Sequence, residues 1–192
     1  ISCSQPDDHP PAIFPSLLEG KDPSLVALVR KKIVTANREP EKPASWLALG
    51  SVYEANDLDS LALTAYDRAL AADQTNAQAW YRIFIVSHRQ GDQERAREAN
   101  SHLLELAPDY APVYIRSGYW HLDLGRTSEA RISFQRAVEL DASNPGGYWG
   151  SAQIMLQEND AERASNLLET LVRQRADPYS YQLLGNAYRL AG

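Results

Sequence analysis

Cysteine is all but missing from this chain. The one present, Cys3, permits no disulfide within the chain and no thiolate-rich metal site, so cysteine usage leaves the redox compartment open. No stretch reaches the roughly 18 uninterrupted apolar residues that a membrane-spanning helix needs. Basic residues are also too few for a nucleic-acid surface: 19 Lys and Arg stand against 25 Asp and Glu, a net charge of -6. The short cluster Arg30, Lys31 and Lys32 reads as the solvated face of a helix. The four histidines, His9, His88, His102 and His121, are scattered. Only His88 and His121 fall where they could approach each other, and two histidines without a third ligand do not make a metal site. The glycines of Asn144-Pro145-Gly146-Gly147-Tyr148-Trp149-Gly150 have no strand before them, as a phosphate cradle requires, and read as a loosened helix start. No catalytic residue, metal or cofactor is expected.

What the chain has is a period. Trp46, Trp80, Tyr114 and Tyr148 follow one another at intervals of 34 residues, and Ala62, Ala96, Ala130 and Ala164 keep the same interval. A period in the low thirties carried by helical segments predicts an all-α solenoid of stacked antiparallel helix pairs. Such a fold offers a surface for holding another molecule. Two helices approach closely only where side chains are small, so Gly50, Gly118, Ala152 and Gly185 are expected to face the four alanines. Trp46, Tyr53, Tyr66, Leu103, Phe134 and Leu168 are expected to fill the remaining core.

Residues 1–21 form a leader whose prolines, from Pro6 to Pro15, predict extended or disordered chain. Asp22-Pro23 opens a helix that Pro40 and Pro43 forbid to continue, a half-repeat over 22–42 placed to cap the stack. The repeats then occupy 43–76, 77–110, 111–144, 145–177 and a half unit, 178–192. Second helices are expected over 59–72, 93–106, 127–140 and 161–174. They follow turns at Asn56-Asp57, Gly91, Gly125 and Asn159, and are capped by Asp59, Asp92, Thr127 and Asp160.

The run Trp46-x-x-Leu49-Gly50-x-x-Tyr53, followed by Ala62, Tyr66 and Ala69, closely resembles the tetratricopeptide repeat, and Tyr181-x-x-Leu184-Gly185-x-x-Tyr188 opens another copy. The units between depart from the pattern at Phe84, Ser87, Ser117 and His121. The resemblance implies a right-handed superhelix whose first helices line a concave groove for an extended or helical peptide. The family's groove positions fall here on Leu47, Tyr81, Arg82, Ile85, His88, Arg89, Ile115, Arg116, Tyr119, Trp149 and Gln153. This stripe is apolar and aromatic, as interaction surfaces tend to be. Alternatively, Tyr81, Tyr119 and Trp149 pack between neighbouring units. Of the residues that grip a terminal carboxylate in chaperone-binding repeats only Arg116 is matched, although Arg82 and Arg116 together could hold a carboxylate. The asparagine ladder of the sugar-transferring members is broken by Ser51, Ile85, Tyr119 and Gln153.

Both ends carry expectations. Ile1-Ser2-Cys3-Ser4-Gln5 resembles the end of a bacterial lipobox, which would make Cys3 a lipidation site and the leader a tether; a chance cysteine is the alternative. Location in a bacterial cell envelope or in the cytoplasm stays open. The last helix is expected to lack its partner, leaving Leu183, Leu184 and Tyr188 uncovered on one side; the expectation is that the natural protein continues, and the alternative is that another molecule covers that face. The functional expectation is a non-enzymatic scaffold for a protein or peptide, with a membrane link only through a lipid anchor. The alternative is the recruiting domain of a longer enzyme. Self-association, with Ile13 and Phe14 entering a groove, is a further option.

Overall fold

The computed structural model describes residues 16–18 and 20–192. Cys3, His9, Ile13 and Phe14, and with them most of the leader, lie outside the described residues. Every regular element among the described residues is helical: a single 3-10 turn, Ser16–Leu18, precedes ten α-helices. That turn departs from the extended chain expected up to residue 21; Leu18, within it, is fully buried, and burying such a side chain is worth about 2 kcal/mol.

The chain divides into two compact units, up to His102 and from Leu103 onward. The first holds α1 (Pro23–Arg38), α2 (Pro43–Glu54), α3 (Asp59–Ala72), α4 (Ala77–Gln90) and most of α5 (Gln93–Leu106). The second holds the end of α5, then α6 (Ala111–Asp123), α7 (Thr127–Leu140), α8 (Gly146–Gln157), α9 (Ala161–Gln174) and α10 (Pro178–Ala191). Within each unit a helix packs on its neighbour in sequence. In the second unit α6 also touches α8, and α8 touches α10, so these alternate helices form one layer.

The second helices occupy the residues read from the sequence, and their starts have a common cause. Asp57, Gly91, Gly125 and Asn159 all take left-handed backbone, with φ of 58°, 78°, 70° and 60°. The N–H after each bonds back five residues: Leu58 to Tyr53 O, Asp92 to Ser87 O, Arg126 to His121 O and Asp160 to Met155 O. This Schellman closure satisfies the last carbonyls of the first helix and fixes the residue after the turn as the next cap. Asp92 and Asp160 stand there and accept from the N–H groups of Arg95 and Arg163. Asp59 and Thr127 stand one residue later, already inside their helices, so Leu58 and Arg126 are the N-caps and the expected side-chain caps do not form.

Three first helices, α2, α4 and α6, share a second device. The indoles of Trp46 and Trp80 and the hydroxyl of Tyr114 each donate to a backbone carbonyl six residues earlier, Pro40, Gln74 and Pro108, at 2.8, 2.9 and 2.9 Å. The repeated aromatic thus fills space and also ties down the loop that precedes it.

Ala152 clusters with Ala164 as expected, but at Gly50 and Gly118 the nearest neighbour is a ring of the second helix. A Cβ at Gly50 would come within 2.3 Å of the Tyr66 ring, and one at Gly118 within 2.5 Å of the Phe134 ring. Gly150 of α8 meets that same Phe134 edge at 2.2 Å. Each glycine is therefore a seat for the aromatic of a second helix, whose ring is too large for any side chain beneath it. Phe84 and Asn100 hold the places of Gly50 and Tyr66 one period on, and both are buried, so the large and small partners exchange helices there. Gly146 and Gly147 are likewise sites of close approach, to Ile115 of α6 and to Val138 and the Phe134 carbonyl of α7, and not a loosened helix start.

Candidate functional site

The expected groove residues fall into two sets. In the first unit Leu47 is 7% exposed; it lies in the core, on a helix against which α1 packs, and offers nothing to a ligand. Tyr81, Ile85 and His88 on α4 are half-buried. Arg89 is held by the Asp59 carboxylate through two of its nitrogens. Arg82 lies 3.7 Å from Glu54, whose other oxygen accepts from the Tyr66 hydroxyl at 2.6 Å. Burial, with that hydrogen bond second, pushes the Tyr66 hydroxyl well above its ordinary range. The two arginines expected to be available in this unit thus each face a carboxylate of the fold, Arg89 through hydrogen bonds and Arg82 at 3.7 Å. With both side chains more than a third exposed, such pairs are worth about 0–1 kcal/mol each.

The second unit differs. Its layer of α6, α8 and α10 brings Ile115, Arg116 and Tyr119 together with Trp149, Gln153 and a residue the sequence did not single out, Tyr179. The Trp149 and Tyr179 rings meet edge to face at 4.9 Å. The Trp149 indole donates to Ser180 Oγ at 2.8 Å, and Ser180 donates to Asp177 at 2.6 Å. Gln153 donates its amide to the Tyr179 hydroxyl at 2.5 Å. Tyr119 meets the buried Phe134 edge-on at 5.0 Å. Burial pushes its hydroxyl up to about 12; the Tyr179 hydroxyl adds to the rise and the Arg116 guanidinium opposes it. Trp149, one of the three aromatics in the packing alternative, is therefore partly spent on α10, and so is Gln153.

This face has donors left over. The Tyr119 hydroxyl makes no hydrogen bond within the unit, the Tyr179 hydroxyl accepts from Gln153 with its own proton uncommitted, and no carboxylate of the unit pairs with half-buried Arg116. Tyr119, its hydroxyl pushed up by burial, keeps its proton at physiological pH. Chemically, such a face suits an acceptor or an anion flanked by apolar side chains. Tyr179 escaped the sequence reading because it stands two residues before the motif aromatic Tyr181, a place held by Pro112 and Gly146 ahead of Tyr114 and Tyr148.

Among the described residues no group of three or more His, Cys, Asp or Glu could hold a metal ion. His88 stacks near Phe84, at 6.5 Å. His121 is held below its ordinary value by burial, and its Nδ1 is buried without a partner.

Comparison with known proteins agrees with the repeat pattern. Models described as tetratricopeptide repeat match residues 65–98 and residues 121–187. The chain is 26% identical over 166 residues to the photosystem I assembly protein Ycf3 of Rippkaea orientalis, covering 81% of this chain and 91% of that one. It is 35% identical over 77 residues to the general transcriptional corepressor ssn6 of Schizosaccharomyces pombe, where the match spans only 7% of the relative's length. Among solved structures, a tetratricopeptide repeat protein of Parabacteroides merdae superposes with a TM-score of 0.75 at 17% identity, over 88% of this chain and 67% of that one. YrrB, described as having an unusual peptide-binding site, superposes with a TM-score of 0.65 at 16% identity, over 84% and 93%. The motif, the all-helical fold and the two matched stretches together identify this as a chain of tetratricopeptide repeats.

Proposed function

We propose that the chain is a protein-interaction scaffold whose ligand face is the layer of α6, α8 and α10, and that it holds a peptide carrying a carboxylate beside an apolar side chain. The observation that carries this reading is the set of uncommitted donors, Arg116, Tyr119 and Tyr179, among the apolar surfaces of Ile115, Leu122 and Trp149. A guanidinium with two neutral hydroxyls beside it complements a carboxylate, and the neighbouring rings supply contact area at small entropic cost. Two similar proteins carry names in keeping with such a role, one as an assembly protein and one for a peptide-binding site. In the first unit Arg82 and Arg89 face carboxylates of the fold, Glu54 and Asp59.

A displayed library of random short peptides selected against the chain tests this. Enriched peptides should combine an acidic residue with a large apolar one, and should bind Arg116→Ala at least about tenfold more weakly. Absence of enrichment, or equal capture by Arg116→Ala and by the Tyr119→Phe, Tyr179→Phe double variant, would overturn the reading.

A further inference from the structure

The chain holds in its own sequence the ligand chemistry that the layer of α6, α8 and α10 suits. That face pairs no carboxylate with Arg116, leaves the Tyr119 hydroxyl and the Tyr179 proton uncommitted, and sets them beside the ring pair of Trp149 and Tyr179. The run Pro6-Asp7-Asp8-His9-Pro10-Pro11-Ala12-Ile13-Phe14 puts two carboxylates shortly before two large apolar side chains, and residues 1–15 hold no Lys or Arg. This run lies outside the described residues. The turn that follows it, Ser16–Leu18, belongs to the first unit, with Leu18 fully buried.

We propose that residues 6–14 of one copy of the chain bind the α6, α8 and α10 face of a second copy, with Asp8 at Arg116 and Phe14 at the ring pair; this rests on reading that face as a ligand site. Spacing agrees. Neighbouring helices in a packed layer lie about 8–10 Å apart, so the way from Arg116 on α6 to Tyr179 on α10 is about 16–20 Å. In polyproline geometry, which Pro10 and Pro11 favour, each residue advances about 3.1 Å, and the steps from Asp8 to Phe14 cover about 19 Å. Charge agrees as well. The guanidinium meets a carboxylate, and the two tyrosine hydroxyls can donate to its remaining lone pairs. Prolines also reduce the conformational entropy lost on binding.

Arm and face belong to different units of the chain. The contact is therefore heterologous: each copy offers one arm and one face, and copies add head to tail. A segment this short covers well under the roughly 800 Å² per partner of a standard interface, which places the dissociation constant on the order of 100 µM.

Sedimentation equilibrium of the 192-residue chain from a few µM to about 500 µM reads this directly. The expected mean mass is that of a monomer at the dilute end and at least that of a dimer at the concentrated end. A face variant, Arg116→Ala, and an arm variant combining Asp7→Asn, Asp8→Asn and Phe14→Ala should each stay monomeric alone. Mixed in equal amounts they should form a dimer and nothing larger, because only one intact arm can meet one intact face. Helical circular dichroism identifies a variant that fails to fold. A synthetic peptide of residues 5–15, titrated into the full chain at a few µM, then decides: it should bind near 100 µM, and about tenfold more weakly with both aspartates changed to asparagine. Monomer at every concentration overturns the proposal, as do association by either folded variant alone, a mixture that stays monomeric, and a peptide indifferent to its aspartates. The arm variant should still capture library-selected peptides through Arg116. Retained capture in a monomeric parent chain sinks this inference alone, whereas capture absent from the parent removes the reading of the face beneath it.

Discussion

Substituting alanine at two glycines that share a motif position should move stability in opposite directions. In a helix interior, glycine to alanine ordinarily stabilises by about 1 kcal/mol, because the backbone has less freedom to lose. Gly185→Ala should show that gain, since a Cβ there meets nothing within 4 Å. Gly118→Ala places the same carbon 2.5 Å from Phe134 Cε1 and 2.7 Å from Cδ1 and Cζ, well inside contact distance. Phe134 is fully buried, and Gly150 of α8 bears on the same ring edge, so the ring has no space to move into. Overpacking of this kind costs roughly 1–3 kcal/mol; at the upper end, less the helix gain, the net loss is about 2 kcal/mol. For a unit of this size that lowers Tm by roughly 10 °C. Urea and thermal unfolding followed by circular dichroism at 222 nm measure both variants. Phe134→Leu should recover part of the loss in the Gly118→Ala background, a coupling of about 1 kcal/mol. Shifts of the same sign for the two glycines, or no coupling with Phe134, would refute the seat.

Other outcomes follow from the same structure. Asn159, at φ 60°, should gain about 0.5 kcal/mol in urea unfolding when replaced by glycine, whereas Gly91→Val should lose about 1–2 kcal/mol at φ 78°. Burial pushes Tyr53 and Tyr119 up to about 12. A raised folded value means the stability they contribute is intact below pH about 10 and is lost as pH climbs towards about 12, which tyrosinate absorbance at 295 nm and circular dichroism should show together. His121 is depressed by burial, so its contribution is present above the ordinary histidine value near 6.5 and is lost as pH falls below it. His121→Leu should flatten that acid limb in unfolding measured across pH.

The helix boundaries were legible because a left-handed residue recurs at Asp57, Gly91, Gly125 and Asn159, and such residues stand out in sequence. The caps were legible only where an acid follows that residue at once; Asp59 and Thr127 mislead by one place. The glycines announced close packing but not its partner, since periodicity names the face of a helix and not which residue opposite reaches it. Ring depth decides that: the atoms nearest Gly50 and Gly118 belong to Tyr66 and Phe134. The face proposed for the ligand was legible in outline. Arg116, Tyr119 and Trp149 do share a layer, but Leu47 is core, Arg82 and Arg89 are paired, and Tyr179 enters only once α10 is folded against α8.

The central claim is that repeated positions hold the stack while positions that vary between repeats make the ligand face. Arg116→Ala and Phe134→Ala, measured side by side for unfolding free energy and for capture of a library-selected peptide, test it most directly. The account predicts that Arg116→Ala stays within about 0.5 kcal/mol of the parent yet loses capture, and that Phe134→Ala loses about 3–5 kcal/mol. An Arg116→Ala chain that unfolds as readily as Phe134→Ala, or that keeps full capture, would contradict it.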